Sequence, residues 1–165
     1  EILNGRLRPR DLITGISWDL LPFVFSLFLI LRAVGQSGLT EWVQSVLAGT
    51  GTHETLGRLL FIAATSALGS NLINNLPMVL VAIDSLAVPV SNGQMSLGSV
   101  YAALLGTNLG PNLTVIGSLA TMLSLSIIGA KGLRIPGTMY LKIGALAVPL
   151  LLVGSVVSLW LALSF

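Results

Sequence analysis

Cysteine is absent from all 165 residues, so the chain can form neither a disulfide nor a thiolate metal site, and the redox state of its compartment leaves no mark on it. Charge is nearly as scarce: Asp, Glu, Lys and Arg make up 8% of the chain, where an ordinary soluble domain carries roughly 25%. The net charge of +2 comes from scattered residues and builds no basic patch that would draw a nucleic acid. There is one histidine, His53, beside Glu54, and no second histidine at the spacing of a zinc protease. Gly35-Gln36-Ser37-Gly38 could hold a serine nucleophile, yet no acid and histidine accompany it in apolar sequence. No enzyme, catalytic residue, metal or cofactor is therefore expected. Met78, Met95, Met122 and Met139 are spaced onto separate elements and read as packing residues.

What fills the chain instead is apolar sequence, 54% of residues, with a mean hydropathy of +0.94. The bilayer is its expected solvent. Residues 1–10 are polar, arginine-bearing and without the pattern of a signal peptide, which reads as a loop of a longer protein. Residues 18–34 form the first apolar block, broken only by Pro22 near its start, where a helix tolerates proline. Seventeen or so residues cover about 26 Å, the low end of what a span requires. Residues 39–48 place Trp42, Val43, Val46 and Leu47 on one face and predict a helix lying at the membrane interface.

The second block, 57–90, is expected to break at residues 70–77 into arms of about thirteen residues, roughly 20 Å each and too short to cross. It reads as a re-entrant hairpin. The third, 97–130, is expected to divide at residues 107–112 and is long enough to span with an unwound centre. The last, 139–165, contains Lys142 near its start and an interior Pro149, and predicts a kinked span. Arg6, Arg8 and Arg10 precede the first span, and Lys131, Arg134 and Lys142 lie near the junction of the last two blocks. The positive-inside rule places both groups in the cytoplasm. The chain must then cross an even number of times between them, so one broken block spans and the other turns back.

Two short stretches repeat one another: Gly69-Ser70-Asn71-Leu72-Ile73-Asn74-Asn75-Leu76 and Gly106-Thr107-Asn108-Leu109-Gly110-Pro111-Asn112-Leu113. Both read G-[S/T]-N-L-x-x-N-L. With Pro77 and Pro111 they mark helix breaks inside apolar segments, and Gly69, Gly106 and Gly110 are taken as part of them. Inside a bilayer an unpaired backbone group costs several kcal/mol, so broken helices survive only where they line a cavity or are buried in protein. Two matched breaks predict one transport site. Asn75 is expected to cap the second arm of the hairpin and Asn112 the second half of the broken span. Ser70, Asn71, Asn74, Thr107, Asn108 and Thr114 add groups that donate and accept. With no Arg or Lys beside the motifs, the set suits a small, neutral, multiply hydroxylated solute. Asp84, on a hairpin arm, and Asp19, in the first span, are the ionisable candidates for proton coupling.

Ser17-Trp18-Asp19-Leu20-Leu21-Pro22-Phe23-Val24-Phe25, Asn74-Asn75-Leu76-Pro77 and Gly110-Pro111-Asn112-Leu113-Thr114-Val115-Ile116-Gly117-Ser118-Leu119-Ala120-Thr121 together resemble the bacterial arsenite/antimonite efflux permeases. The resemblance corresponds to the C-terminal half of that family, within the ion transporter superfamily. It implies an all-α polytopic membrane protein of the inner membrane, half of an inverted-repeat transporter with a re-entrant helical hairpin and a discontinuous transmembrane helix. It also implies export of arsenite or antimonite as neutral hydroxides, in exchange for protons. A missing N-terminal half or a second protomer would complete the site, and a soluble arsenite-stimulated ATPase docks on some relatives. Related dicarboxylate carriers are expected to show Ser-Asn-Thr at these breaks, and Leu72 and Leu109 stand at the third positions here. A sodium–proton exchanger or a non-transporting membrane subunit are the remaining alternatives.

Overall fold

The computed structural model describes residues 20–36, 38–48 and 55–165. Every regular element among them is helical. The helices are α1 (Leu20–Gly35), α2 (Leu39–Ala48), α3 (Leu56–Ile73), α4 (Asn75–Ser91), α5 (Leu97–Leu109), α6 (Leu119–Ala130) and α7 (Gly137–Ser164). Two 3₁₀ turns, Gly110–Leu113 and Val115–Gly117, separate α5 from α6.

The centre of the fold is the pairing of α3 with α5. Thr55 caps α3 by accepting the Arg58 backbone N–H at 3.3 Å. The buried face of α3 carries Leu59, Ile62, Ala63, Ser66, Ala67 and Ser70, recurring at the three- and four-residue steps of one helix face. It meets Ser99, Ala102, Ala103, Gly106 and Thr107 of α5. These residues are nearly all small, and small residues let helix backbones approach closely where lipid supplies no hydrophobic drive between helices. A Cβ on Gly106 would overlap the Ala63 carbonyl, and one on Gly110 would overlap the Ala67 backbone.

The core is apolar, but the outer surface is apolar as well, and several small hydroxyl side chains lie inside. Ser66, Ser70, Ser85, Ser99 and Thr107 are buried, whereas Leu72 and Leu146 are 83% and 71% exposed. Helix α7, 28 residues long, reaches about 42 Å at the rise of an α-helix. It turns Gly144, Val148, Leu152 and Val156 inward at steps of four and leaves its other faces outward. Helices α3 and α7 are long and apolar enough to cross a membrane.

Three expectations change. The break in the second block is confined to Asn74, so the arms have 18 and 17 residues, not about thirteen. The first arm is therefore not too short to cross. Ser70 and Asn71 do not end α3, because their side chains bond back to the Ser66 and Ala67 carbonyls inside the helix. Next, the break in the third block starts later than 107–112 and runs to Ser118. Pro111 lacks only its own N–H, and Gly110 still donates to the Gly106 carbonyl, so Thr107 and Asn108 remain helical. Finally, Trp42 is exposed while its neighbour Val43 is buried, so the two do not share a face.

Candidate functional site

The two repeated motifs come together. The Asn71 amide donates to the Ala67 carbonyl in its own helix and to the Gly110 carbonyl of the second motif, both at 2.8 Å. The Thr114 hydroxyl donates to Asn71 Oδ1 at 2.8 Å. Asn74, at φ 77° and ψ 158°, donates its side-chain amide to the Ile116 carbonyl at 3.2 Å. Residues far apart in sequence thus share one junction.

Close approach is required around it. A Cβ on Gly117 would press on the Pro111 carbonyl and on Asn71 Oδ1. On Gly144 of α7 it would press on the Asn112 and Leu113 carbonyls. Gly69, in turn, leaves room for the Met78 sulfur across the turn at Asn74. Gly69 and Gly106 are consequently not at breaks, as the motif suggested. They lie within α3 and α5 and serve packing. Pro77 falls in the first turn of α4, where a missing N–H is tolerated. Gly110 and Pro111 do stand at a break, opening the first 3₁₀ turn.

The capping roles differ from expectation. Asn74 occupies the N-cap of α4 without a side-chain cap bond, and Asn75 is the first helical residue. Asn112 reaches backward, donating to the Asn108 carbonyl at 3.3 Å and the Leu109 carbonyl at 3.2 Å. It therefore serves the end of α5, whose last carbonyls lack helical partners. Ser118 caps α6, accepting from the Ala120 N–H at 3.2 Å. Sequence reasoning missed Ser118, although a serine just before an apolar run is a recognised helix start. It also missed Gly117, Gly144 and Arg58, the last only 4% exposed in the first turn of α3.

The remaining candidates divide by burial. Ser70 and Thr107 are fully buried, their hydroxyls donating to the Ser66 and Leu104 carbonyls. Asn108 is exposed and donates to the Leu104 carbonyl at 2.7 Å. It borders a groove of about 460 Å³ shared with Tyr101, Ser155 and Ser158. Asp84 stands on the exposed side of α4, about 15 Å along the helix from Asn74 at the usual rise. Asp19, His53 and Glu54 lie outside the described residues.

Hydrogen-bond polarity follows from this geometry. The amide groups of Asn71, Asn74, Asn108 and Asn112 all donate to backbone carbonyls, and such acceptors fix which way each side chain is turned. Asn75 Oδ1 is buried without a hydrogen-bond partner. Among the described residues, nothing donates to Oδ1 of Asn108 or Asn112. The oxygens of Asn108 and Asn112 are thus left as acceptors, and no charged residue occurs between Arg58 and Asp84 or between Asp84 and Lys131.

The sequence profile described as "Arsenical pump membrane protein" matches residues 6–163. The "Arsenical pump membrane protein" of Escherichia coli strain K12 is 31% identical over 151 residues, covering 92% of this chain and 35% of the relative. A "Putative arsenical pump membrane protein" of Bacillus subtilis strain 168 is 24% identical over 161 residues, 95% of this chain and 36% of the relative. An "Uncharacterized transporter" of Mycobacterium tuberculosis is 30% identical over 167 residues, 97% and 38% respectively. The chain thus spans little more than a third of the length of these curated relatives. No solved structure matches it.

Proposed function

Because the chain belongs to the arsenical pump membrane protein family, we propose that it forms part of a secondary transporter that exports arsenite or antimonite from the cytoplasm as neutral hydroxides, in exchange for protons. The supporting observation is the charge-free junction of the two motifs and the amide oxygens it leaves without partners. A trihydroxide carries three O–H donors, and Asn75, Asn108 and Asn112 offer acceptors for them. A transported solute must also be released. Recognition by hydroxyl and amide allows this, whereas a thiolate, absent from the chain, would hold trivalent arsenic strongly.

In this proposal the unwound segment 110–118 lies near mid-membrane in a discontinuous span, and α3 with α4 forms a hairpin turned at Asn74. Both basic regions face the cytoplasm of a bacterial inner membrane. The proposed ligand contacts are Asn75, Asn108 and Asn112. Buried Ser70 and Thr107 hold α3 against α5, and Asn74 ties the turn to Ile116. The outward face of the junction is completed by the second, inverted half of a longer permease or by a second protomer. Some family members take up a soluble ATPase on the cytoplasmic side, and the basic stretch near Lys131 and Arg134 is the proposed place for it.

The test is arsenite accumulation in sensitive cells producing the full-length protein, with and without a proton uncoupler. Exclusion of arsenite that collapses with the uncoupler is the expected result. Unchanged accumulation, with the protein present in the membrane, removes the proposal. One second reading shares the same oxygens: exchange of sodium for protons, since amide oxygens also ligate hard cations. Sodium-dependent proton movement without arsenite exclusion would favour it.

A further inference from the structure

We infer that Asn71 and Thr114 are positioning residues of this site, not contacts of the transported solute. The inference rests on the proposed transport function for the identity of the ligand, but its geometric content stands on the hydrogen bonds themselves. Asn71 has two amide N–H groups, and both are spent: one on Ala67 of its own helix, the other on the Gly110 carbonyl at the end of α5. Its oxygen accepts the Thr114 hydroxyl at 2.8 Å. One side chain therefore ties α3, the end of α5 and the strand-like residue between the two 3₁₀ turns, where Thr114 has φ −126° and ψ 156°.

The packing argues the same way. Gly117 comes so near Asn71 Oδ1 that a Cβ would press on it, so the Thr114 hydroxyl and the Gly117 backbone both stand against this oxygen, although Asn71 is only partly buried and also borders a cavity of about 410 Å³. The Thr114 hydroxyl thus fills one of the two acceptor positions of that oxygen, and with both amide N–H groups spent the side chain is held by three internal bonds. The segment 110–118 has no continuous helical ladder to hold its shape, so its position relative to α3 is set by the close packing of Gly110 on Ala67 and by side-chain links of this kind. Asn112 lies within the segment, and Asn75 follows α3 by one turn residue. The spacing of these two proposed ligand groups is therefore set by the Asn71 to Thr114 bond together with the Asn74 to Ile116 bond.

The test uses the full-length protein freed of any other cysteine, with spin labels at Leu72→Cys and Ile116→Cys, both at exposed positions. The distance between the labels is measured without arsenite in wild type, Thr114→Val and Thr114→Ser. Valine keeps the bulk and removes the hydroxyl; serine keeps the hydroxyl. A narrow distribution in wild type and Thr114→Ser, broadened in Thr114→Val, is expected. In parallel, Thr114→Val raises the KM for arsenite in everted vesicles about five- to tenfold, the value of one partly buried hydrogen bond. Thr114→Ser stays near wild type. If Thr114→Val does not accumulate in the membrane, Thr114→Ala serves in its place with the same expectation.

A ligand-free distribution left unchanged by loss of the hydroxyl overturns the positioning role, whatever happens to transport. A loss in Thr114→Ser equal to that in Thr114→Val also overturns it, since the hydroxyl would not be the group that matters. If wild type moves no arsenite while the distances behave as expected, the transport proposal fails and the positioning role stands.

Discussion

Asn74 donates its side-chain amide to the Ile116 carbonyl at 3.2 Å, across 42 positions of sequence. It does so from φ 77° and ψ 158°, a backbone region that residues with a Cβ seldom occupy. The same asparagine therefore bends the chain between α3 and α4 and ties that bend to the second break. Glycine would relieve the backbone but lose the tie, and alanine would keep the strain and lose the tie as well.

Asn74→Ala is accordingly expected to be less stable than Asn74→Gly by about 1–2 kcal/mol, the cost of holding a Cβ at positive φ. Thermal unfolding of the purified full-length protein in detergent ranks the two. Equal midpoints would mean that the turn relaxes to an ordinary conformation.

The contact of α3 with α5 predicts a sharp contrast among glycines. Gly106→Ala drives a methyl group into the Ala63 carbonyl, and overpacking of this kind costs about 1–3 kcal/mol or more. Its amount in the membrane should fall severely. Gly154→Ala, where nothing lies within 4 Å of the added carbon, should match wild type. Immunoblots of membrane fractions measure both, and near-normal levels of Gly106→Ala would contradict the packing.

Asn75 should show a trade of stability against function. Its Oδ1 is buried and unpartnered, a state that costs free energy until a donor arrives. Asn75→Ala is expected to unfold at the same temperature as wild type or higher, while arsenite export is lost. A lower midpoint would contradict the trade of stability against function.

Asp84 stands on the exposed side of α4, roughly 15 Å from the break by helical rise, about half the hydrocarbon thickness of a bilayer. With the break at mid-membrane, as proposed, this acid would stand at the interface. Asp84→Asn is expected to leave arsenite export and its pH profile unchanged. A profile displaced along the pH axis would instead identify Asp84 as the proton carrier.

Much of the fold was legible before any coordinates. Helices at residues 39–48 and within 97–130, and the interruption close to Pro111, follow from the spacing of apolar residues and from the N–H that proline lacks. The repeat of Asn71 and Asn75 by Asn108 and Asn112 pointed to a shared location. The length of the arms was less legible. Whether Ser70 and Asn71 end a helix or bond back within it depends on local hydrogen bonds that spacing does not distinguish.

By itself, the sequence determined the chemistry that is possible: a charge-free, cysteine-free stretch rich in asparagine, interrupted where proline removes a donor. Those properties belong to residue types and survive any arrangement. Only the tertiary structure decided how each asparagine is spent. Asn71 is consumed by Ala67, Gly110 and Thr114, whereas Asn75 keeps an unpartnered oxygen, though both stand in one motif. An amide is donor and acceptor at once, and which half remains for a ligand depends on which backbone carbonyls the fold brings within reach. Glycine follows the same rule, since Gly106 and Gly144 are needed only because another backbone passes beside them.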